Sequence, residues 1–241
     1  MSIYKDNFHV RFLDVDNSNV LKPTSLVNYF QEIGGEHSAS VGCGLYDIPK
    51  VGFAWILLGW SIKIFKQPKW NDTVDVTTWH KGGNDLFSYR DYKAYVGDEL
   101  IGIATSKWVA CDAKTGSIMK LPKDIVENFP SQNDSALECE FKKIKEPSTY
   151  TSNFNYTILR HDIDTNNHLN NAKYINLAFE TLPQNIYNKT CTYIEVMYKN
   201  AATLGEEVIC LYSQISETEH IITIKNKELN KLYAIVKLEM N

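Results

Sequence analysis

Near its middle the C-terminal half of the chain reads Asp164-Thr-Asn166-Asn-His168-Leu-Asn170-Asn171. A carboxylate, an amide and an imidazole fall within five residues. An imidazole has an unperturbed pKa near neutrality, so His168 can act as a general base or orient a water. The Asn166 amide can aim that water or hold a carbonyl oxygen. Asp164 can fix the loop and its neighbours by hydrogen bonds. Tyr174, Leu177, Ala178 and Thr181 follow at i, i+3, i+4 and i+7, which predicts a helix starting near Asn170 or Asn171 and stopping at Pro183. A helix start offers free backbone N–H groups and the positive end of a dipole, both able to polarise a carbonyl. The same residue types also make ordinary turns and caps, and Asn170 and Asn171 read as caps on their own chemistry.

The chain carries this loop twice. Asp14-Val-Asp16 matches Asp162-Ile-Asp164 at an offset of 148 residues, and Asn19/Asn167, Leu21/Leu169, Asn28/Asn176 and Glu32/Glu180 keep that offset. A repeat this long means duplicated domains, since solenoid repeats are far shorter. Ser18 and Val20 stand where the second copy has Asn166 and His168. The first copy therefore has the scaffold and lacks the chemistry.

Each copy shows the same grammar. A strand leads in, with Phe8, Val10 and Phe12 alternating in the first copy and Phe154, Tyr156 and Ile158 in the second. A helix follows, carrying Leu26, Tyr29, Phe30 and Ile33 on one face in the first copy. Strands are then expected over Trp55–Ile64, Thr73–Trp79, Phe87–Tyr95 and Glu99–Cys111, with a hairpin turn at Asp112–Gly116. The second copy's strands are expected over Tyr193–Tyr198, Glu207–Gln214, Ile221–Lys225 and Lys231–Leu238. These patterns divide the chain into a domain over 1–130, a linker over 131–151 and a domain over 152–241. A short helix is expected near Lys123–Asn128. One strand, one helix and an antiparallel meander, repeated, make an α+β architecture in which each sheet curls around a central helix.

The 241 residues carry a net charge of −4, which argues against a general nucleic-acid binder. The opening residues lack a signal-peptide core, and no apolar run reaches membrane-spanning length. Five cysteines without CxxC or CxH spacing read as reduced thiols. The expectation is a cytoplasmic protein with no membrane insertion, no structural metal and no cofactor.

Several motifs in order resemble one family. Leu26-x-Asn28-x-x-Gln31-Glu32 runs on to His37 and Gly42. Trp55, Ile62-x-Ile64, Pro68-x-Trp70-x-Asp72, Thr78-Trp79, Arg90-Asp91, Ser106-x-Trp108-Val109 and Leu121-Pro122 come next. Asp162-Ile-Asp-x-Asn166-x-His168-x-Asn170-Asn171-x-x-Tyr174, Glu180 and Pro183 complete the set. Over nearly its whole length the sequence resembles the acyl-acyl carrier protein (acyl-ACP) thioesterases of plants and bacteria. The resemblance implies a double hotdog fold and hydrolysis of fatty acyl-ACP to free fatty acid and holo-ACP in fatty acid biosynthesis. It implies catalytic roles for Asp164, Asn166 and His168. It also implies acyl-substrate contacts drawn from Trp55, Leu57, Tyr29, Asn170 and Asn171. The partner is acyl carrier protein, and family members work as monomers or homodimers.

One position departs from the family. Its members carry a water-activating glutamate on the strand after the catalytic helix, and the register set by Tyr198 and Gly205 puts that position at Ala201. The neighbouring family cysteine falls at Ala202. Glu195 is six strand residues away, roughly 20 Å, too far to substitute. Two alternatives follow: a hotdog thioesterase acting on acyl-coenzyme A, or an acyl-binding protein without catalysis. Lys22, Arg160, Lys173 and Lys199 are the candidate basic contacts for a carrier.

Overall fold

The computed structural model describes residues 3–121, 130–132 and 134–241. The helix expected near Lys123–Asn128 lies outside these residues. The chain forms two compact units, Met1–Glu140 and Phe141–Asn241.

In the first unit the strands are β1 (Ile3–His9), β2 (Phe53–Ile64), β3 (Thr73–Gly83), β4 (Ser88–Val96), β5 (Glu99–Asp112) and the short β6 (Ile118–Met119). They pair antiparallel in the order β1-β3-β4-β5-β2, with β6 on β5. The second unit has β7 (Ser152–Thr157), β8 (Cys191–Tyr198), β9 (Glu207–Gln214), β10 (Glu219–Asn226) and β11 (Leu232–Met240). Its order is β7-β9-β10-β11-β8, also antiparallel. Apart from β6, the second unit repeats the strand order of the first.

Each unit packs one long helix on its sheet: α1 (Pro23–Ser40) in the first and α2 (Asn171–Thr181) in the second. The four residues expected on the inner face of α1, Leu26, Tyr29, Phe30 and Ile33, are all buried. Phe30 meets Trp60 and Tyr92 at ring distances of 6.4 and 5.2 Å, which locks helix to sheet through aromatic contacts. Tyr174, Leu177, Ala178 and Thr181 are likewise buried on α2. The expected turn at Asp112 forms because its Oδ1 accepts the N–H groups of Lys114 and Thr115 at 2.9 and 2.8 Å.

The lead-in strands stop earlier than their alternation predicts. β1 ends at His9 and β7 at Thr157, and a one-turn 3-10 helix follows each, over Phe12–Asp14 and Arg160–Asp162. The cause is local. Asp14 accepts the Arg11 N–H at 3.0 Å, and Asp162 accepts the Leu159 N–H at 3.0 Å, bending the chain out of the sheet.

The segment between the copies is pinned rather than loose, as expected of a stretch too long to be a free loop in a compact fold. The Trp79 indole donates to the Asp134 carbonyl at 2.9 Å, and the Ala136 N–H donates to Asp91 at 2.7 Å. Farther on, Ile144 packs with Ile221 and Ile235, Glu146 pairs with Lys225, and Thr151 donates its N–H to the Tyr212 carbonyl. Residues on the two sides of the 140/141 boundary thus belong to different units.

Candidate active site

The loop from β7 to α2 is built around two carboxylates. Asp162, 3% exposed, accepts hydrogen bonds from the Leu159 N–H at 3.0 Å and the Tyr156 hydroxyl at 2.7 Å, and lies 3.3 Å from Lys173 Nζ. Burial pushes its pKa up, but the Leu159, Tyr156 and Lys173 donors outweigh that and hold it below the usual carboxylate range. The same contact and burial push Tyr156 up to about 12.

Asp164 builds the tip. Its Oδ1 accepts the N–H groups of Asn166 at 2.8 Å and His168 at 3.2 Å. Its own N–H donates to the His168 carbonyl at 2.8 Å, and its carbonyl accepts from Asn167 at 3.1 Å. Asn167 takes the left-handed conformation, φ 62°, which asparagine tolerates better than most residues. A bridge between Ile163 and Leu169 closes the loop. Asp164 therefore fixes the backbone, as the sequence predicts.

The helix start offers less than the sequence suggests. Asn170 caps α2, its side-chain oxygen accepting the Ala172 N–H at 2.9 Å, while its carbonyl accepts the Lys173 N–H at 2.9 Å. The Leu169 N–H goes to the Ala202 carbonyl and the Asn170 N–H to the Asp162 carbonyl, both at 2.9 Å. Every backbone N–H from Asn166 to Asn170, and those of Ala172 and Lys173, is thus already committed. The idea that several free N–H groups here polarise a carbonyl is corrected. Side chains keep unused capacity: those of Thr165, Asn166, Asn167 and His168 are exposed and make no hydrogen bond among the described residues, and of these the Asn166 amide and the His168 ring are the groups that the sequence assigns to the chemistry.

Beside the loop runs the segment after β8. Ala202 is fully buried and Ala201 exposed. The Leu169–Ala202 hydrogen bond puts residues 201 and 202 against the backbone of His168 and Leu169, where the family's glutamate is expected. Glu195 stays on β8 in register with Lys237, away from this segment. Glu206 is held by the Thr203 N–H at 2.6 Å and the Tyr233 hydroxyl at 3.0 Å. Burial raises its pKa, and those donors with Lys231 bring it below the ordinary range. A cavity of about 140 Å³ in this unit is lined by Tyr156, His161, Asp162, Lys173 and Glu180 among others, and by none of Asp164, Asn166 and His168.

Comparison with known proteins places this geometry. A family model described as the acyl-ACP thioesterase N-terminal domain matches residues 1–129, and one described as the C-terminal domain matches residues 145–238. The chain belongs to the acyl-ACP thioesterase family.

Oleoyl-acyl carrier protein thioesterase of Coriandrum sativum is 28% identical over 91% of this chain and 65% of its own length. Oleoyl-acyl carrier protein thioesterase 1 of Arabidopsis thaliana is 30% identical over 76% of this chain and 56% of its own length. The chain thus spans under two thirds of these relatives. Among solved structures, an acyl-ACP thioesterase from Bacteroides thetaiotaomicron superposes with a TM-score of 0.89 at 22% identity, covering 99% of this chain and 98% of that one. The 12:0-ACP thioesterase of Umbellularia californica gives 0.88 at 19% identity, covering 99% and 97%. The fold is the double hotdog of this family.

The remaining candidates lie in the first unit of this acyl-ACP thioesterase family member. Trp55 and Leu57 sit on β2, Trp55 half-buried and edge-on to Phe53, Leu57 buried. Tyr29 is buried, stacks on Phe8 at 4.7 Å and donates its hydroxyl to Asp14 at 2.9 Å. In the second unit, the Asn171 carbonyl accepts the Tyr198 hydroxyl at 2.9 Å. Sequence reasoning gave no role to Asp162, Tyr198 or Tyr174. For Asp162 the signal was its identity with Asp14 across the repeat. For Tyr174 it was a polar group where the first copy has Leu26.

Proposed function

We propose that this chain hydrolyses the thioester of fatty acyl-ACP, giving a free fatty acid and holo-ACP. The observation that carries the reading is the contrast within the loop. Its backbone donors are almost all committed, and the exposed side chains that make no hydrogen bond among the described residues include Asn166 and His168, which the first copy replaces with Ser18 and Val20. Such groups do what thioester hydrolysis needs. His168 takes a proton from water as it attacks the carbonyl. The Asn166 amide donates to the oxyanion that forms. The carbon–sulfur bond then breaks, and the proton held by His168 neutralises the carrier's thiolate. A thiolate is a good leaving group, so its protonation demands little.

With alanine at 201, no carboxylate side chain supports the base from that position. The expected rate is below that of a site with both, because His168 must take the proton without a neighbouring carboxylate to stabilise its charged form. Exposed Arg160 and Lys199, neither ion-paired among the described residues, are available to an acidic carrier, whereas Lys173 is held by Asp162. We assign the reaction to fatty acid biosynthesis. The test is thiol release from acyl-ACP and from acyl-coenzyme A, measured beside His168→Ala. Release from acyl-ACP well above the variant supports the reading. Binding of acyl-ACP with no release above the variant would favour the acyl-binding alternative that Ala201 raises.

A further inference from the structure

The two copies solve one backbone problem in different ways. In the first unit the Leu21 N–H donates to the Pro68 carbonyl at 2.7 Å. In the second, Leu169 donates to Ala202 at 2.9 Å. Pro68 and Ala202 are therefore equivalent. A proline has no N–H to satisfy and a fixed φ, and the helix residue of the first copy at the offset of Tyr174 is the buried, apolar Leu26. Ala202 does have an N–H, fully buried, and it donates to the Tyr174 hydroxyl at 2.9 Å. Tyr174 and Ala202 form a matched pair, as do Leu26 and Pro68.

The pairing leaves something over. A phenol accepts with its oxygen and donates with its proton. Tyr174 is 2% exposed, and among the described residues its proton has no acceptor. A buried hydroxyl without an acceptor is costly, and such groups call for an explanation. A Leu–Pro pair would have satisfied the backbone without one, as the first copy shows. Burial, with Glu206 and Asp164 nearby, pushes Tyr174 up to about 12, so the proton stays in place at neutral pH. The ring is fixed edge-on to Tyr198 at 5.7 Å, whose own hydroxyl is held by the Asn171 carbonyl.

We propose that Tyr174 is a positioning residue of the active site: it holds the Ala202 backbone, and through it His168, while its remaining proton anchors water beside the small side chain of Ala201. The chain of contact is short. Tyr174 oxygen meets the Ala202 N–H, and the Ala202 carbonyl meets the N–H of Leu169, the residue after His168. The inference rests on the hydrolase reading above.

Two variants decide it. Tyr174→Phe removes both functions. The double change Tyr174→Leu with Ala202→Pro installs the first copy's solution, which satisfies the backbone and lacks the proton. With acyl-ACP as substrate, Tyr174→Phe should lower kcat roughly 10²-fold, the scale of a catalytic group displaced by about 1 Å, with KM nearly unchanged. The double variant leaves part of the ring's space empty, so it should melt cooperatively but below the wild-type temperature, and remain as slow. Recovery of wild-type kcat in the double variant, or an unchanged kcat in Tyr174→Phe, would reduce Tyr174 to a structural role and overturn the proposal. A wild-type protein that releases no thiol would instead sink the hydrolase reading, and this inference with it.

Discussion

The loops at Asp16 and Asp164 are the same object made twice. In each, the aspartate Oδ1 accepts two backbone N–H groups, from Ser18 at 2.8 Å and Val20 at 3.3 Å in the first, from Asn166 at 2.8 Å and His168 at 3.2 Å in the second. The aspartate N–H donates to the fourth residue on, at 2.9 and 2.8 Å. An asparagine takes the left-handed position in both, φ 61° at Asn19 and 62° at Asn167. The bridges Val15–Leu21 and Ile163–Leu169 close them alike. What differs is what the frame does not use: the side chains at the first, second and fourth places after the aspartate, Asn17, Ser18 and Val20 against Thr165, Asn166 and His168. The frame satisfies the backbone in both copies. The chemistry is an addition to it, which is why Asp164 alone is poor evidence for catalysis and His168 is better evidence.

The supports behind the loops are also exchanged. Asp14 and Asp162 each accept a phenol, yet Tyr29 comes from the helix and Tyr156 from the strand. At the repeat offset, Phe8 corresponds to Tyr156 and Tyr29 to Leu177, so the hydroxyl has moved between elements while its target has stayed. Arg11 completes the first site at 2.9 Å and Lys173 the second at 3.3 Å. A buried carboxylate needs partners more than it needs particular ones.

Changes made in pairs sharpen this contrast. Asn166→Ala should lower acyl-ACP hydrolysis by about 10²-fold, as expected for one oxyanion donor, while Ser18→Ala should leave it unchanged; steady-state assays read both. Asp14→Asn and Asp162→Asn should each lower stability by about 1–3 kcal/mol, the cost of disturbing a buried hydrogen-bonded group. Chemical denaturation measures that loss.

The same two carboxylates set an acid limb. Each is pushed up by burial and brought below its ordinary pKa by Arg11 and Tyr29, or by Leu159, Tyr156 and Lys173. A depressed folded pKa means stability that is present above the unfolded value, near 3.9, and lost as pH falls through the folded one. Melting temperature should therefore drop below about pH 4, and the asparagine variants should show a flatter acid limb.

Asp16→Ala and Asp164→Ala should cost similar stability, about 1 kcal/mol as for a lost cap. Only Asp164→Ala should also slow hydrolysis. Unequal stability losses would show that the frames are less alike than their hydrogen bonds. Smallest of all is the graft Ser18→Asn with Val20→His, which should add no turnover. A doubled rate would mean that the first loop lacks nothing but those side chains.

Much of this was legible in the residues. The duplication followed from identities at one offset, and the inner face of α1 from its 3.6-residue spacing. The loop frame was foreshadowed by paired aspartates and asparagines. Other features were not legible, for physical reasons. The early ends of β1 and β7 depend on Asp14 and Asp162 reaching back three residues to Arg11 and Leu159, a local side-chain contact that hydrophobic alternation does not record. The commitment of the helix-start N–H groups depends on Ala202 and Asp162, which lie away from the helix in sequence. Tyr174 looked like one more core position, because periodicity counts its ring and ignores its oxygen. The stretch 131–151 looked like a linker because its composition is polar, although Trp79, Asp91 and Tyr212 tie it down.

The central claim is that one of two matching loops does the chemistry. Single-turnover hydrolysis of acyl-ACP by His168→Ala, beside Val20→Ala, tests it most directly. The account predicts a fall of about 10²–10⁴-fold for His168→Ala at an unchanged melting temperature, since that ring is exposed and makes no hydrogen bond among the described residues, and a wild-type rate for Val20→Ala. Wild-type hydrolysis by His168→Ala would contradict it.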